Sequence, residues 1–221
     1  MEKEKEYING KLDFESEYIN DKRNGNGKEY QWGKLIYEGG YLNGKRNGEG
    51  KQYNIWTGKL EFEGEYLYNY KIKGKYYINE KLEYEGEFRY NRKWNGKGYD
   101  TSGNIIYELI NGNGKVKEYW HNDLLKFEGE YFNGLRNGKG KEYNDWNGDL
   151  KFEGEYLNGK KHGKGKEYNW KGKPVSTRTT PVGPAVPPVT RIASLRIVFS
   201  LFLGMLLTSL LLNIIHQSNR V

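Results

Sequence analysis

Eleven glutamates recur at the same place in successive stretches of the chain: Glu15, Glu38, Glu63, Glu85, Glu128 and Glu153, followed two residues on by Glu17, Glu65, Glu87, Glu130 and Glu155 in all but the second. Two carboxylates so close could serve glycoside hydrolysis, one as acid and one as nucleophile or base. That chemistry needs one singular environment that drives two pKa values apart. A carboxylate repeated in unit after unit, alternating with apolar residues, reads instead as the solvated face of a sheet, paired with lysines across strands.

The second constellation is basic. Lys22 and Arg23, Lys45 and Arg46, Arg92 and Lys93, Arg136, and Lys160 and Lys161 fall at one position of the same recurring stretch, just beyond a turn. Stacked in an array, they would form a row along one edge, and such a row can engage acidic phospholipid head groups at about 1 kcal/mol per charge. The competing explanation is that turn residues are charged because they are solvated. The remaining chemistry is sparse. His121, His162 and His216 are scattered without metal-ligand spacing, there is no cysteine, and Gly-Lys-Gly-Lys lacks the spacing and the Ser/Thr of a phosphate loop. The expectation is no enzyme, no cofactor and no metal. Net charge is +7, but Lys and Glu are interleaved, so no nucleic-acid partner is expected.

The elements that must position these residues are repeats. Residues 126–144, KFEGEYFNGLRNGKGKEYN, and 151–169, KFEGEYLNGKKHGKGKEYN, differ at four of nineteen positions. The aromatic of this phrase recurs at Phe14, Tyr37, Phe62, Tyr84, Tyr107, Phe127 and Phe152, at intervals of 23, 25, 22, 23, 20 and 25 residues. Leu150, Phe152, Gly154 and Tyr156 alternate with Lys151, Glu153 and Glu155, the period of a half-buried strand. Asn158-Gly159 is hairpin-turn chemistry, and Gly163, Gly165 and Tyr168 form a second, glycine-punctuated strand. Glycines inside strands leave flat ground on which rings can lie. Trp32, Trp56, Trp94, Trp120, Trp146 and Trp170 fall near the turns between units and are expected to cover the seams. One hairpin is marginal in water, so each unit needs its neighbour. About thirteen strands in one curved sheet would extend on the order of 60 Å and offer a surface rather than a pocket. The fifth unit, IYELINGNGKVKEY, is short and lacks Gly-Glu-Tyr, which predicts a local kink between Tyr99 and Trp120. Glu6 to Lys11 is expected to cap the array.

These phrases, YEGGYLNGKRNGEGKQY at 37–53, FEGEYFNGLRNGKGKEY at 127–143 and FEGEYLNGKKHGKGKEY at 152–168, resemble the MORN repeat (membrane occupation and recognition nexus): aromatic-x-Gly-x-aromatic, Asn-Gly, a basic residue, then Gly-x-Gly. The resemblance covers about residues 6–172, in a divergent, Tyr-rich form. It implies an all-β fold, an elongated, twisted single-layer antiparallel sheet of about seven β-hairpin units. It also implies the family's roles, which are mostly scaffolding and membrane tethering, with acidic-phospholipid binding proposed for some members and a catalytic domain beside the repeats in others. After Lys173 only 48 residues remain, too few for a lipid kinase or methyltransferase domain.

Composition changes at Pro174. All five prolines lie from Pro174 to Pro188, and every tyrosine, tryptophan and acidic residue lies before them. Residues 173–195 read as an extended Pro/Thr/Val-rich linker. Residues 196–216 read as one C-terminal transmembrane helix, because Ile197 to Ile215 carries no charge over nineteen residues. At roughly 28 Å it suits a thinner bilayer such as the endoplasmic reticulum. Lys171, Lys173, Arg178, Arg191 and Arg196 precede this span and Arg220 follows it, which places the repeats on the cytosolic side of a single-pass, tail-anchored chain. The layout of repeats followed by an anchor resembles the junctophilins. The expected function is a non-catalytic, membrane-anchored scaffold or tether that presents a repeat surface to proteins and acidic phospholipid. The alternative is a soluble interaction module of immunity or antitoxin type with an incidental tail. Open strand edges at both ends invite self-association.

Overall fold

The structure is a computed structural model that describes residues 4–179. The chain divides into a unit of Met1–Pro181 and a unit of Val182–Val221. The span expected at 196–216 and most of the linker lie outside the described residues. Among the described residues no helix is long and apolar enough to cross a membrane.

Sixteen strands follow one another in chain order. They are β1 (Glu4–Ile8), β2 (Lys11–Ile19), β3 (Lys22–Gln31), β4 (Lys34–Leu42), β5 (Lys45–Tyr53), β6 (Leu60–Leu67), β7 (Tyr70–Ile78) and β8 (Lys81–Arg89). Then come β9 (Arg92–Tyr99), β10 (Ile105–Leu109), β11 (Gly114–Tyr119), β12 (Leu125–Phe132), β13 (Leu135–Tyr143), β14 (Leu150–Leu157), β15 (Lys160–Tyr168) and β16 (Pro174–Thr179). Each strand pairs antiparallel with the next except at β10 and β11, giving a sheet of β1 to β10 and a sheet of β11 to β16. One continuous sheet was the expectation. The division falls inside the short fifth unit, where β10 and β11 are joined only by the bridge Ile110–Asn113, because Asn111 and Gly112 turn the chain before a ladder can form. The array also runs six residues into the stretch whose composition reads as linker. Proline opens β16, where its missing N–H costs no ladder bond, and Ser176 to Thr179 pair with β15.

Turn chemistry sets the hairpins. Asn20, Asn43, Asn133 and Asn158 take φ near +50°, a left-handed conformation that asparagine tolerates. Tyr68 and Tyr90 hold the same conformation, at φ 50° and 52°, at a cost of about 1 kcal/mol each. The turns then knit to one another. Gly44 N donates to Arg23 O at 2.9 Å, Gly134 N to Gly112 O at 2.8 Å and Gly159 N to Arg136 O at 2.9 Å. Gly112 N donates to Trp94 O at 2.8 Å, so the turn row continues across the division between the sheets.

The core is a ring layer on a glycine floor. Gly27, Gly39, Gly50, Gly64, Gly74, Gly86 and Gly96 face one another across β3 to β9, and Gly129, Gly140, Gly154 and Gly165 do so across β12 to β15. A Cβ on Gly154 would stand 2.7 Å from the Phe152 ring. Phe14, Tyr37, Phe62, Tyr84, Phe127 and Phe152 are accordingly buried. Tyr41, Tyr66 and Phe88 interleave with them edge to face, in an unbroken run from Phe14 to Tyr84 with centroids 5.0 to 5.6 Å apart. Each such contact contributes about 0.5 to 1.5 kcal/mol beyond area burial, and half of them join different hairpins, so neighbours stabilise each other.

The tryptophans depart from expectation. Trp32, Trp56, Trp146 and Trp170 are 63, 73, 62 and 66% exposed. They sit in turns beyond the strand ends, where Trp32 and Trp56 pack on each other with ring centroids 5.7 Å apart yet stay exposed, and the buried seams are closed by Tyr41, Tyr66, Phe88 and Tyr156. The Trp120 indole donates to the next unit, to Tyr143 O at 3.3 Å.

Candidate interaction surface

The two faces of the array differ in kind. On the face opposite the rings, register places lysine against glutamate at every step from β1 to β10: Lys5, Glu15, Lys28, Glu38, Lys51, Glu63, Lys75, Glu85, Lys97 and Glu108 are successive cross-strand partners. Lys117, Glu128, Lys141, Glu153 and Lys166 continue the alternation from β11 to β15. Each carboxylate of these rungs is thus flanked by lysines, and Glu38, Glu63, Glu128 and Glu153 also accept a tyrosine hydroxyl, from Tyr53, Tyr77, Tyr143 and Tyr168, at 2.6 to 2.7 Å. Two shallow troughs of about 850 and 550 Å³ lie on this face, floored by glycine backbone and walled by Lys and Glu. Among the described residues no group of acidic and imidazole side chains is arranged to hold a metal ion.

The nine basic turn residues divide between the two environments. Arg23, Arg46, Lys93, Arg136 and Lys161 turn onto the ring face. The Arg23, Arg46 and Arg136 guanidinium carbons lie 3.6, 4.1 and 4.1 Å from the Phe14, Tyr37 and Phe127 centroids, and Lys161 Nζ lies 4.4 Å from that of Phe152. Each is ion-paired: Arg23 with Glu6 at 2.9 Å, Arg46 with Glu29, Arg136 with Glu118 at 2.8 Å, Lys161 with Glu142 at 3.5 Å, and Lys93 with the buried Glu83. Burial works against the charges of Glu29 and Glu118, yet the arginine beside each holds its carboxyl below the usual carboxylate range. Lys93 resists burial in the same way, and Glu83 keeps its proton affinity above that of a free lysine. These five are cation lids on the core.

Lys22, Lys45, Arg92 and Lys160 remain exposed at the turn edge. They are accompanied by a second row that sequence reasoning missed. Ile19, Leu42 and Leu157 are 48, 39 and 43% exposed and stand directly opposite Lys22, Lys45 and Lys160 in the hairpin register. Each of these units therefore presents one apolar and one cationic side chain at the same edge. The signal was the residue just before each turn, Asn20-Asp21, Asn43-Gly44 and Asn158-Gly159, where strand alternation faces away from the rings.

Lys71 breaks the lid pattern. It lies over the Phe62 ring at 4.7 Å and makes no ion pair among the described residues. Burial, with a further contribution from Arg46 and against the pull of Glu61, brings its ammonium down to about 8 from the ordinary lysine value of 10.5. The folded chain thus holds this proton less tightly than the unfolded chain, so the contribution of Lys71 to stability is flat and lowest below about pH 8 and rises between there and pH 10.5. Lys71→Met is expected to exceed the native chain by about 1 to 2 kcal/mol at pH 7. The advantage should shrink towards pH 10.5, read from urea midpoints across that range; a constant advantage would contradict the assignment.

The hairpins, the glycine floor and the two unlike faces define a protein of tandem β-hairpin repeats, with surfaces rather than an enclosed site. Four segments, residues 14–33, 37–54, 127–148 and 152–169, match the MORN repeat model, so the chain carries MORN repeats. No curated protein matches the sequence. The middle units fold as the same hairpins outside the matched segments. There Tyr68-Asn69 and Tyr90-Asn91 replace Asn-Gly, and the fifth unit is short.

Proposed function

We propose that this protein is a non-catalytic, membrane-anchored scaffold whose hairpin-turn edge lies against acidic phospholipid, leaving the Lys/Glu face open to protein partners. The observation that supports it is the edge itself. Ile19 with Lys22, Leu42 with Lys45 and Leu157 with Lys160 repeat an apolar side chain beside an exposed cation that makes no ion pair among the described residues. That combination is what an anionic interface attracts by charge and holds by burial. The uncharged stretch from Ile197 to Ile215 supports a second membrane signal, and the excess of Lys and Arg before it favours a cytosolic orientation of the repeats.

Two substitution sets in the full chain separate these contributions. Leu206→Arg with Leu207→Arg puts two charges at the centre of the anchor, at a cost of about 2.5 to 3.5 kcal/mol each, and should release the protein from membranes in cells. Lys22→Glu, Lys45→Glu, Arg92→Glu and Lys160→Glu together, on that background, should weaken binding to phosphatidylserine vesicles on the order of a thousandfold at low salt. Unchanged vesicle binding discards the edge, and unchanged membrane residence of the first variant discards the anchor.

A further inference from the structure

On the ring face the repeat supplies its own controls. Glu29, Glu118 and Glu142 each accept from a tyrosine hydroxyl of the next strand, Tyr41, Tyr131 and Tyr156, and pair with a cation of the strand after that, Arg46, Arg136 and Lys161. In the second unit the equivalent residue is Gln52. It still accepts from the Tyr66 hydroxyl at 3.3 Å, but its Nε2 donates to Glu61 at 2.6 Å. The cation that would complete the set, Lys71, is left without a carboxylate. The same unit strands a second polar group, since Asn47 Oδ1 is buried with no hydrogen-bond partner. Lys71 Nζ sits 4.7 Å from the Phe62 centroid and 5.4 Å from that of Tyr76. Lys71 is the second residue of β7, next to the turn, and is partly rather than fully buried.

We propose that Lys71 is a modification site, the amine nucleophile of the array, accepting an acyl group from a thioester donor. The neutral Nζ lone pair attacks the thioester carbonyl carbon. A C–N bond forms, the C–S bond breaks, the thiolate leaves with the electron pair, and the proton shed by nitrogen passes to the thiolate or to water. The product amide carries no charge, so the step removes the one lid cation whose carboxylate is missing. The charged groups around it are Glu61 on β6, which favours the ammonium, and Arg46 on β5, which disfavours it. With burial pulling the group to about 8, about a tenth of Lys71 is neutral at pH 7, against fewer than about one in a thousand for an exposed lysine.

The test is site-resolved kinetics. The full chain in detergent is incubated with acetyl coenzyme A across pH 6.5 to 10.5 (about the span of the two lysine pKa values), and acetylation of each lysine is followed by peptide mass spectrometry. Lys71 should react at least about tenfold faster than Lys22, Lys45 and Lys160 at pH 7, with its rate half-risen near pH 8. Gln52→Glu restores the carboxylate of the other units and should bring Lys71 down to or below the exposed lysines while theirs stay unchanged. Lys71 reacting no faster than the exposed lysines, or staying fast in Gln52→Glu, overturns the proposal. Should that variant not fold, the native pH profile still decides, because a half-rise above pH 10 means an ordinary lysine.

Discussion

Gly64→Ala is expected to cost on the order of 3 to 5 kcal/mol and to unfold the centre of the ten-stranded sheet, although it adds a single methyl group. Gly64 holds φ at +149°, and a Cβ there would collide with Lys73 O and stand 2.6 Å from Gly74 Cα. Both obstacles are backbone, so no rotamer change relieves them. Moving β7 away would lift the Phe62 ring from its floor and break its edge contacts to Tyr66 and Phe88. Gly44→Ala is the control. Gly44 also has a positive φ, +79°, but a Cβ there meets nothing within 4 Å. It should cost only about 1 kcal/mol, the local price of the left-handed backbone. Urea denaturation followed by circular dichroism distinguishes the two, and equal losses would refute the glycine floor as the reason for the repeat's spacing.

The second large effect is expected at the division between the sheets. Lys93 on β9 pairs with Glu83, which is 4% exposed, and the Tyr107 hydroxyl donates to the same carboxylate at 3.3 Å. Lys93 also feels Glu118 on β11 and Tyr131 on β12. Lys93→Met leaves Glu83 buried without its counterion and should cost about 3 kcal/mol. Adding Glu83→Gln should recover most of that loss, because the buried charge is then gone. The break should also be visible as uncoupling. Hydrogen exchange should show β11 to β16 opening separately from β1 to β10 in Lys93→Met but not in the double variant. A single cooperative opening in all three chains would remove Lys93 from this role.

The hairpins were legible because two signals coincide in each unit: period-two alternation around Phe152 or Tyr37, and a turn dipeptide such as Asn43-Gly44 that accepts positive φ. Both are local, and both act before any neighbour is in place. The Lys/Glu alternation was legible for the same reason, since Glu38 and Lys51 fall opposite once the turn fixes the register. The basic turn residues were legible as a group but not in their parts. Arg46 and Lys45 are adjacent in sequence, and strand alternation sends one onto the Tyr37 ring and the other to solvent. The tryptophans misled because their chemistry favours burial, whereas Trp56 lies in a turn and, even against the Trp32 ring, stays 73% exposed.

Sequence by itself determined the repeat, its strands and turns, and the identity of the rings, since each follows from residues within one unit. Tertiary structure decided which charges are lids and which are surface, where the sheet divides, and that Lys71 stands without a counterion. Those outcomes depend on three strands meeting: Gln52, Tyr66 and Lys71 come from β5, β6 and β7, and only packing reveals that a glutamine has taken the carboxylate's place.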